Sequence, residues 1–167
     1  LRVTAPMMVM SGTGINDDLN SIERPVRFPV KGMDDKPAEV VHSLAKWKRE
    51  ALCRYSFPLY EGIYTDMKAI RKDEEVDEIH SLFVEQYDWE KVIAKEDRKI
   101  EYLKSTVSSI YKALRDTDIE LKTKYKFLGH DLPKKVYFIT SQELEDMYPN
   151  KTAKEREYLI AKEKGAV

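Results

Sequence analysis

The sequence predicts an α+β fold, a mainly antiparallel sheet flanked by helices. Two runs rich in β-compatible residues, 62–71 and 80–90, are separated by Lys72 to Glu78, where six of seven residues are charged. That stretch is too long for a tight hairpin and too polar for a core, so it reads as a mobile loop between antiparallel neighbours. Ile100, Leu103, Val107, Ile110, Leu114 and Leu121 recur three to four apart or at multiples of that spacing, which predicts a long helix over about 96–125. No internal repeat or low-complexity segment interrupts this mixture.

In chain order, Leu1 to Pro6 reads as the middle of a strand that stops at Pro6. Residues 11–24 are rich in Gly, Asn and Asp and read as a loop. Short strands follow at 26–30 and 39–41, separated by a Gly32/Pro37 turn, with Pro29 placing the first at an edge or bulge. A helix spans 43–55, with Ser43 as N-cap, an apolar stripe of Leu44, Trp47 and Leu52, and Phe57-Pro58 as its stop. In the run 80–90 a period of two puts Gln86, Asp88 and Glu90 on one face and Phe83, Tyr87 and Trp89 on the other. After Pro133, residues 136–140 form a candidate buried strand. Ser141 caps a short helix closed by Pro149, and a last helix runs over 152–164 to a Gly165 C-cap. The residues at both ends read as element interiors, so the chain reads as a piece of a larger domain.

Composition narrows the function. Over 167 residues, 29 Lys and Arg against 30 Asp and Glu give a net charge of −1, which excludes a strongly basic nucleic-acid module. One cysteine, Cys53, excludes an internal disulfide and a multi-cysteine zinc site. His42, His80 and His130 lack metal-ligand spacing, and no residue of this chain is assigned to a metal. No apolar run has membrane-spanning length and no signal segment opens the chain, so a cytoplasmic protein is expected.

Four places could carry chemistry. The Gln86, Asp88, Glu90 row is either the solvent side of a half-buried sheet, the commoner case, or the polar floor of a site. Ser43 lies where a strand meets a helix, and Lys48 follows on that helix. Free N–H groups beside an ammonium favour a bound carboxylate, although Lys46, Lys48 and Arg49 also suit a solvated face. Arg71 at a strand end could fork onto phosphate or carboxylate. The loop with Gly12, Gly14, Asp17 and Asp18 lacks the Gly-x-x-x-x-Gly-Lys pattern of a phosphate loop and reads as a flexible loop carrying a carboxylate. His42 and His80 read as structural, and Cys53 as a packed small hydrophobe.

Several strings together resemble the ammonia-dependent asparagine synthetases, the aspartate–ammonia ligases. They are Asp17-Asp18-Leu19-Asn20, Glu39-Val-Val-His-Ser-Leu-Ala-Lys-Trp-Lys-Arg49, Glu61-Gly-Ile-Tyr-Thr-Asp-Met-Lys-Ala-Ile-Arg71 and Gln86-Tyr-Asp-Trp-Glu90, with Ser141-Gln-Glu-Leu144 and Ala161 to Val167 extending the similarity nearly end to end. The resemblance implies a catalytic domain like that of class II aminoacyl-tRNA synthetases, working as a homodimer without nucleic acid or membrane. It implies conversion of L-aspartate, ammonia and ATP to asparagine, AMP and pyrophosphate through a β-aspartyl-adenylate, with Mg²⁺.

The resemblance also assigns residues. Leu1 to Pro6 matches the end of the dimer-forming first motif, and 61–90 the second, whose arginine on the ATP α-phosphate is Arg71. Lys48, on the helix after Ser43, falls where a substrate carboxylate binds. Gln86 and Asp88 fall beneath the substrate, Gln86 suiting the β-carboxylate and Asp88 the ammonium. Asp17 falls in the closing loop, near the incoming ammonia, where it could take a proton. The Gly-rich third motif and the helix of the first lie outside residues 1–167, so this piece alone is expected to bind ATP poorly and to catalyse nothing. Two other readings stay open: an aspartyl- or asparaginyl-tRNA synthetase core, and a non-catalytic paralogue that binds asparagine or an adenylate.

Overall fold

The structure, a computed structural model, describes residues 1–17, 19, 22–129 and 131–167. Asp18 and Asn20 of the 11–24 loop, together with Ser21 and His130, lie outside the described residues. The chain forms two compact units, Leu1–Ala94 and Lys95–Val167. The strands are antiparallel, as the sequence pattern requires, and divide into two sheets.

The first sheet orders β1 (Met8–Met10), β3 (Lys36–Val40) and β2 (Arg27–Val30), with β3 in the centre. β2 is an edge strand, where Pro29 loses no ladder bond, and Pro29 sits opposite Pro37. Pro37 is therefore in a strand rather than in the turn. The turn is made instead by residues 31–35, with Asp34 and Asp35 at φ 55° and 57°. Short polar side chains tolerate that left-handed geometry, so no glycine is needed there. β1 gives no periodic signal because three residues are too few for one. It forms by pairing Met8 with Val40 and Met10 with Ala38.

The second sheet pairs β4 (Gly62–Ile70) with β5 (Phe83–Lys91) over nine matched positions. β5 begins three residues later than the pattern suggests, because the backbone N–H groups of Ile79 and His80 and the His80 ring turn onto Asp77. Along the other side of β4 runs the extended Leu1–Val3 stretch. Val3 N–H donates to Tyr64 C=O, and Tyr64 N–H donates to Leu1 C=O, each at 2.9 Å. α1 (Ala45–Arg54) ends where Ser56 takes φ 50°, ahead of Phe57-Pro58. Its buried residues Lys48, Ala51 and Leu52 mark the face turned to the core.

The core of this unit lies under α1. Val41, Leu44, Met67 and Ala69 are buried with Trp47 and Val84 against them, and Ala51, Leu52 and Ile63 form a second cluster that also touches Trp47. Trp47 joins the two, so the helix is anchored on β4 by one large ring. Cys53 departs from expectation. It is exposed, because the buried stripe runs through Ala51 and Leu52 and leaves position 53 facing out.

The second unit holds α2 (Ile100–Lys124), α3 (Ser141–Met147) and α4 (Ala153–Lys164). α2 matches its periodicity in extent, yet none of its residues is buried. Residues 136–140 do not form the expected buried strand. Phe138 remains 38 % exposed, and Tyr137 N–H donates to Ala166 C=O at 2.9 Å outside any strand. The N-cap of α3 is Thr140 rather than Ser141, because Thr140 and Glu143 form a reciprocal capping box. Thr152 and Glu155 do the same for α4, which ends on Gly165 at φ 75°. No helix among the described residues is long and apolar enough to cross a membrane.

Candidate functional site

The register of β4 and β5 decides what the polar row of β5 faces. Ile63, Thr65 and Met67 are buried, and they stand opposite Glu90, Asp88 and Gln86. Paired residues share a sheet face, so the polar row looks into the same side as the core and toward α1. The commoner reading, a solvent-facing polar side, fails for Asp88 and Glu90, which are half-buried, and holds for Gln86, which stays exposed. The outer face instead carries Phe83, Tyr87 and Trp89, which are 49 to 74 % exposed, with Tyr64 stacked on Tyr87 at 6.4 Å.

Lys48 reaches this row from the first turns of α1. It is 3 % exposed, so the reading of 46–49 as a solvated face fails for it. Its ammonium is bonded to the Asp88 carboxylate, lies 3.4 Å from the Trp89 carbonyl and stands 4.0 Å from Glu90. Arg49 reaches the other Glu90 oxygen at 3.6 Å. A buried ammonium is tolerated only with such partners. Gln86 lies two residues along the same face. A shallow, open depression of about 400 Å³, lined by the consecutive residues Gln86, Tyr87, Asp88 and Trp89, follows β5.

Arg71 extends the same alternation, two positions past Ala69 on β4. Its backbone N–H closes the hairpin on Leu82 C=O at 2.8 Å. Its Nε is buried and has no hydrogen-bond partner among the described residues. A guanidinium left in that state at the end of a ribbon fits an anionic oxygen. His42 is buried at 1 % exposed, its Nε2 also unpartnered among the described residues, while His80 is tied to Asp77 at 2.7 Å.

Asp17 meets the start of α1. Its carboxylate accepts from Lys46 N–H at 3.1 Å and from the Lys46 ammonium at 3.1 Å. Ser43 accepts from Ala45 N–H at 3.3 Å. The N-cap of α1 is Leu44 rather than Ser43, and Leu44 has no capping side chain, so Asp17 supplies from a distant loop the acceptor that the first turn needs. Lys48 and Asp88 thus touch, Gln86 and Arg71 share their sheet face, and Asp17 and Ser43 stand at the mouth of the helix that carries Lys48.

Sequence reasoning missed the residues that hold this loop. Glu39 on β3 is buried and accepts from Ser11 Oγ at 2.6 Å, Asn16 Nδ2 at 3.1 Å and Arg27 Nε at 2.8 Å. Burial pushes its carboxyl up, but those hydrogen bonds and the Arg27 charge outweigh burial and hold it below the usual carboxylate range. Asn16 in turn accepts His42 N–H at 2.8 Å and donates to Val40 C=O at 3.2 Å. Arg24 forks onto Asp73 through Nε and Nη2 at 3.0 and 2.7 Å, and its backbone N–H adds a third bond. These bonds hold Asp73 far below its ordinary pKa, the side-chain bonds contributing most. An acid inside a strand was the one sequence signal for Glu39. The Arg24–Asp73 clamp joins positions 49 apart in the chain and has none.

A small charge-paired site on the inner face of an antiparallel ribbon, with an unpartnered arginine nitrogen at its end, is the local class of structure. The chain belongs to the aspartate-ammonia ligase family, whose profile matches residues 1–167. It is 56 % identical over 167 residues to an aspartate–ammonia ligase of Clostridium tetani, and 57 % identical over 166 residues to those of Lactobacillus johnsonii and Clostridium perfringens strain 13. All or 99 % of this chain is covered, and 49 % of each relative. The chain spans about half the length of the curated relatives it matches.

Proposed function

We propose that this chain belongs to an enzyme that uses ATP to join ammonia to L-aspartate, giving asparagine, AMP and pyrophosphate through a β-aspartyl-adenylate. The carrying observation is the pairing of buried Lys48 with half-buried Asp88, which shares a sheet face with Gln86. An amino acid presents both a carboxylate and an ammonium, and this face offers one partner of each sign. The family membership supports the reading, and the tRNA synthetase and non-catalytic readings gain no comparable support.

In this proposal Lys48 holds a substrate carboxylate and Asp88 its ammonium. Ser43 lends its place at the helix start, and Gln86 orients the β-carboxylate without repelling it. Arg71 offsets the charge of the α-phosphate as the carboxylate approaches. Asp17 holds ammonium and takes its proton, since only free ammonia is a nucleophile. Among the described residues no three His, Cys, Asp or Glu side chains are arranged to hold a metal, so none of them is assigned to the Mg²⁺ that accompanies ATP in this reading. Both units are placed in one catalytic domain of the class II synthetase kind, in a cytoplasmic homodimer that binds no nucleic acid.

The test measures AMP and asparagine formation by the intact protein, with and without ammonium. Asp17→Asn keeps an acceptor for Lys46 N–H while removing the charge, so α1 keeps its cap. Asparagine formation should fall about 100-fold while adenylate still forms. Asparagine formation at the wild-type rate removes Asp17 from its role, and no aspartate-dependent AMP release removes the ligase assignment.

A further inference from the structure

Lys48 and Asp88, the two charges that the ligase reading gives to aspartate, neutralise each other. Lys48, its side chain 4 % exposed, bonds to Asp88, which is 21 % exposed. An anionic ligand that draws Lys48 away leaves Asp88 without a counter-ion. A cationic ligand that takes Asp88 leaves the buried ammonium only the Trp89 carbonyl at 3.4 Å and the Glu90 carboxylate at 4.0 Å. Each such ligand breaks one pair to make one pair. A zwitterion breaks one pair and makes two.

We propose that the Lys48–Asp88 ion pair is the specificity determinant that makes this site select zwitterions, by partner exchange on binding. This rests on the ligase reading of the site. The surroundings of Lys48 suit an exchange. An ammonium has three donors, and the Trp89 carbonyl at 3.4 Å and Glu90 at 4.0 Å keep Nζ in place when Asp88 lets go. Asp88 is the more exposed partner and borders the open depression along β5, so it can turn toward an incoming ammonium. Thr65, 2 % exposed, lies opposite Asp88 and closes the floor beneath it.

The intact protein tests this in two ways. Without ligand, thermal unfolding is compared for wild type, Lys48→Met, Asp88→Asn and the double variant. Each single change should lower Tm, and the double should recover at least half of the summed loss. With ligand, calorimetry compares L-aspartate with succinate, which has the carboxylates and lacks the ammonium. Asp88→Asn should bind aspartate about tenfold more weakly than wild type, and succinate about tenfold more tightly. If a variant fails to fold, wild type alone carries the test: methylammonium should tighten succinate binding about threefold, and equal concentrations of the bulkier tetramethylammonium should not. Additive Tm losses, or succinate binding indifferent to both Asp88→Asn and methylammonium, overturn the exchange even where aspartate binds normally. Absence of aspartate binding by wild type overturns the ligase reading and the exchange together.

Discussion

Glu39→Gln is the most informative change outside the charge-paired site. It keeps the size of the side chain and replaces a carboxylate with an amide. In the native arrangement Asn16 cannot turn over, because its oxygen receives His42 N–H at 2.8 Å and its nitrogen serves both Glu39 and Val40 C=O. If the new amide keeps its oxygen on Ser11 and Arg27, its nitrogen faces the nitrogen of Asn16. If it turns over, the nitrogen faces the Arg27 guanidinium. Either way one buried bond is lost, and a charge-assisted one is weakened.

Together these losses cost about 2 kcal/mol. The Arg27 side chain is 61 % exposed, so its ion pair is discounted for solvent screening and adds little. For a chain of this length about 2 kcal/mol lowers Tm by about 6 °C. The carboxyl is held below its ordinary 4.5, so an unfolded chain takes up protons before the native one. The stabilisation is therefore complete above that value and is lost as pH falls through the folded one. Thermal unfolding at pH 7 should show the full gap between wild type and variant, and scans at decreasing pH should show it close. A gap under 1 °C at pH 7, or one that persists unchanged in acid, refutes this account of Glu39.

Two further outcomes follow from local geometry. A Cβ on Gly62 would sit 2.3 Å from the Glu90 carbonyl oxygen and 2.9 Å from Lys91 Cα. Gly62→Ala should cost about 2 kcal/mol, read by denaturant unfolding, because both obstacles are backbone of the paired strand. Thr140→Ala and Thr152→Ala should each cost about 1 kcal/mol of helix stability, read by circular dichroism and thermal unfolding, whereas Ser141→Ala should change little.

Much of the fold was legible because its signals are local. The spacing of Ile100 to Leu121 marks α2 to within a few residues. Alternation over 80–90 separates Gln86, Asp88 and Glu90 from the aromatics, and the charged run 72–78 announces the hairpin. The capping box at Thr152 is written in consecutive residues. β1 and the start of β3 at 36–38 were not legible, because short strands owe their existence to a partner.

Alternation along β5 by itself put Gln86, Asp88 and Glu90 on one face, and the strings around Lys48 and Arg71 carried the family. Which way that face looks was settled only by pairing with β4, whose buried Ile63 and Thr65 stand opposite Glu90 and Asp88 and turn those two acids inward, while Gln86 stays exposed. The contact of Lys48 with Asp88, the capping of α1 by Asp17 and the hold of Glu39 on Asn16 join residues 23 to 40 positions apart. Periodicity reports a side chain's direction relative to its own element. The partner that waits there depends on how elements pack, and packing is set by the whole core around Trp47 and Met67.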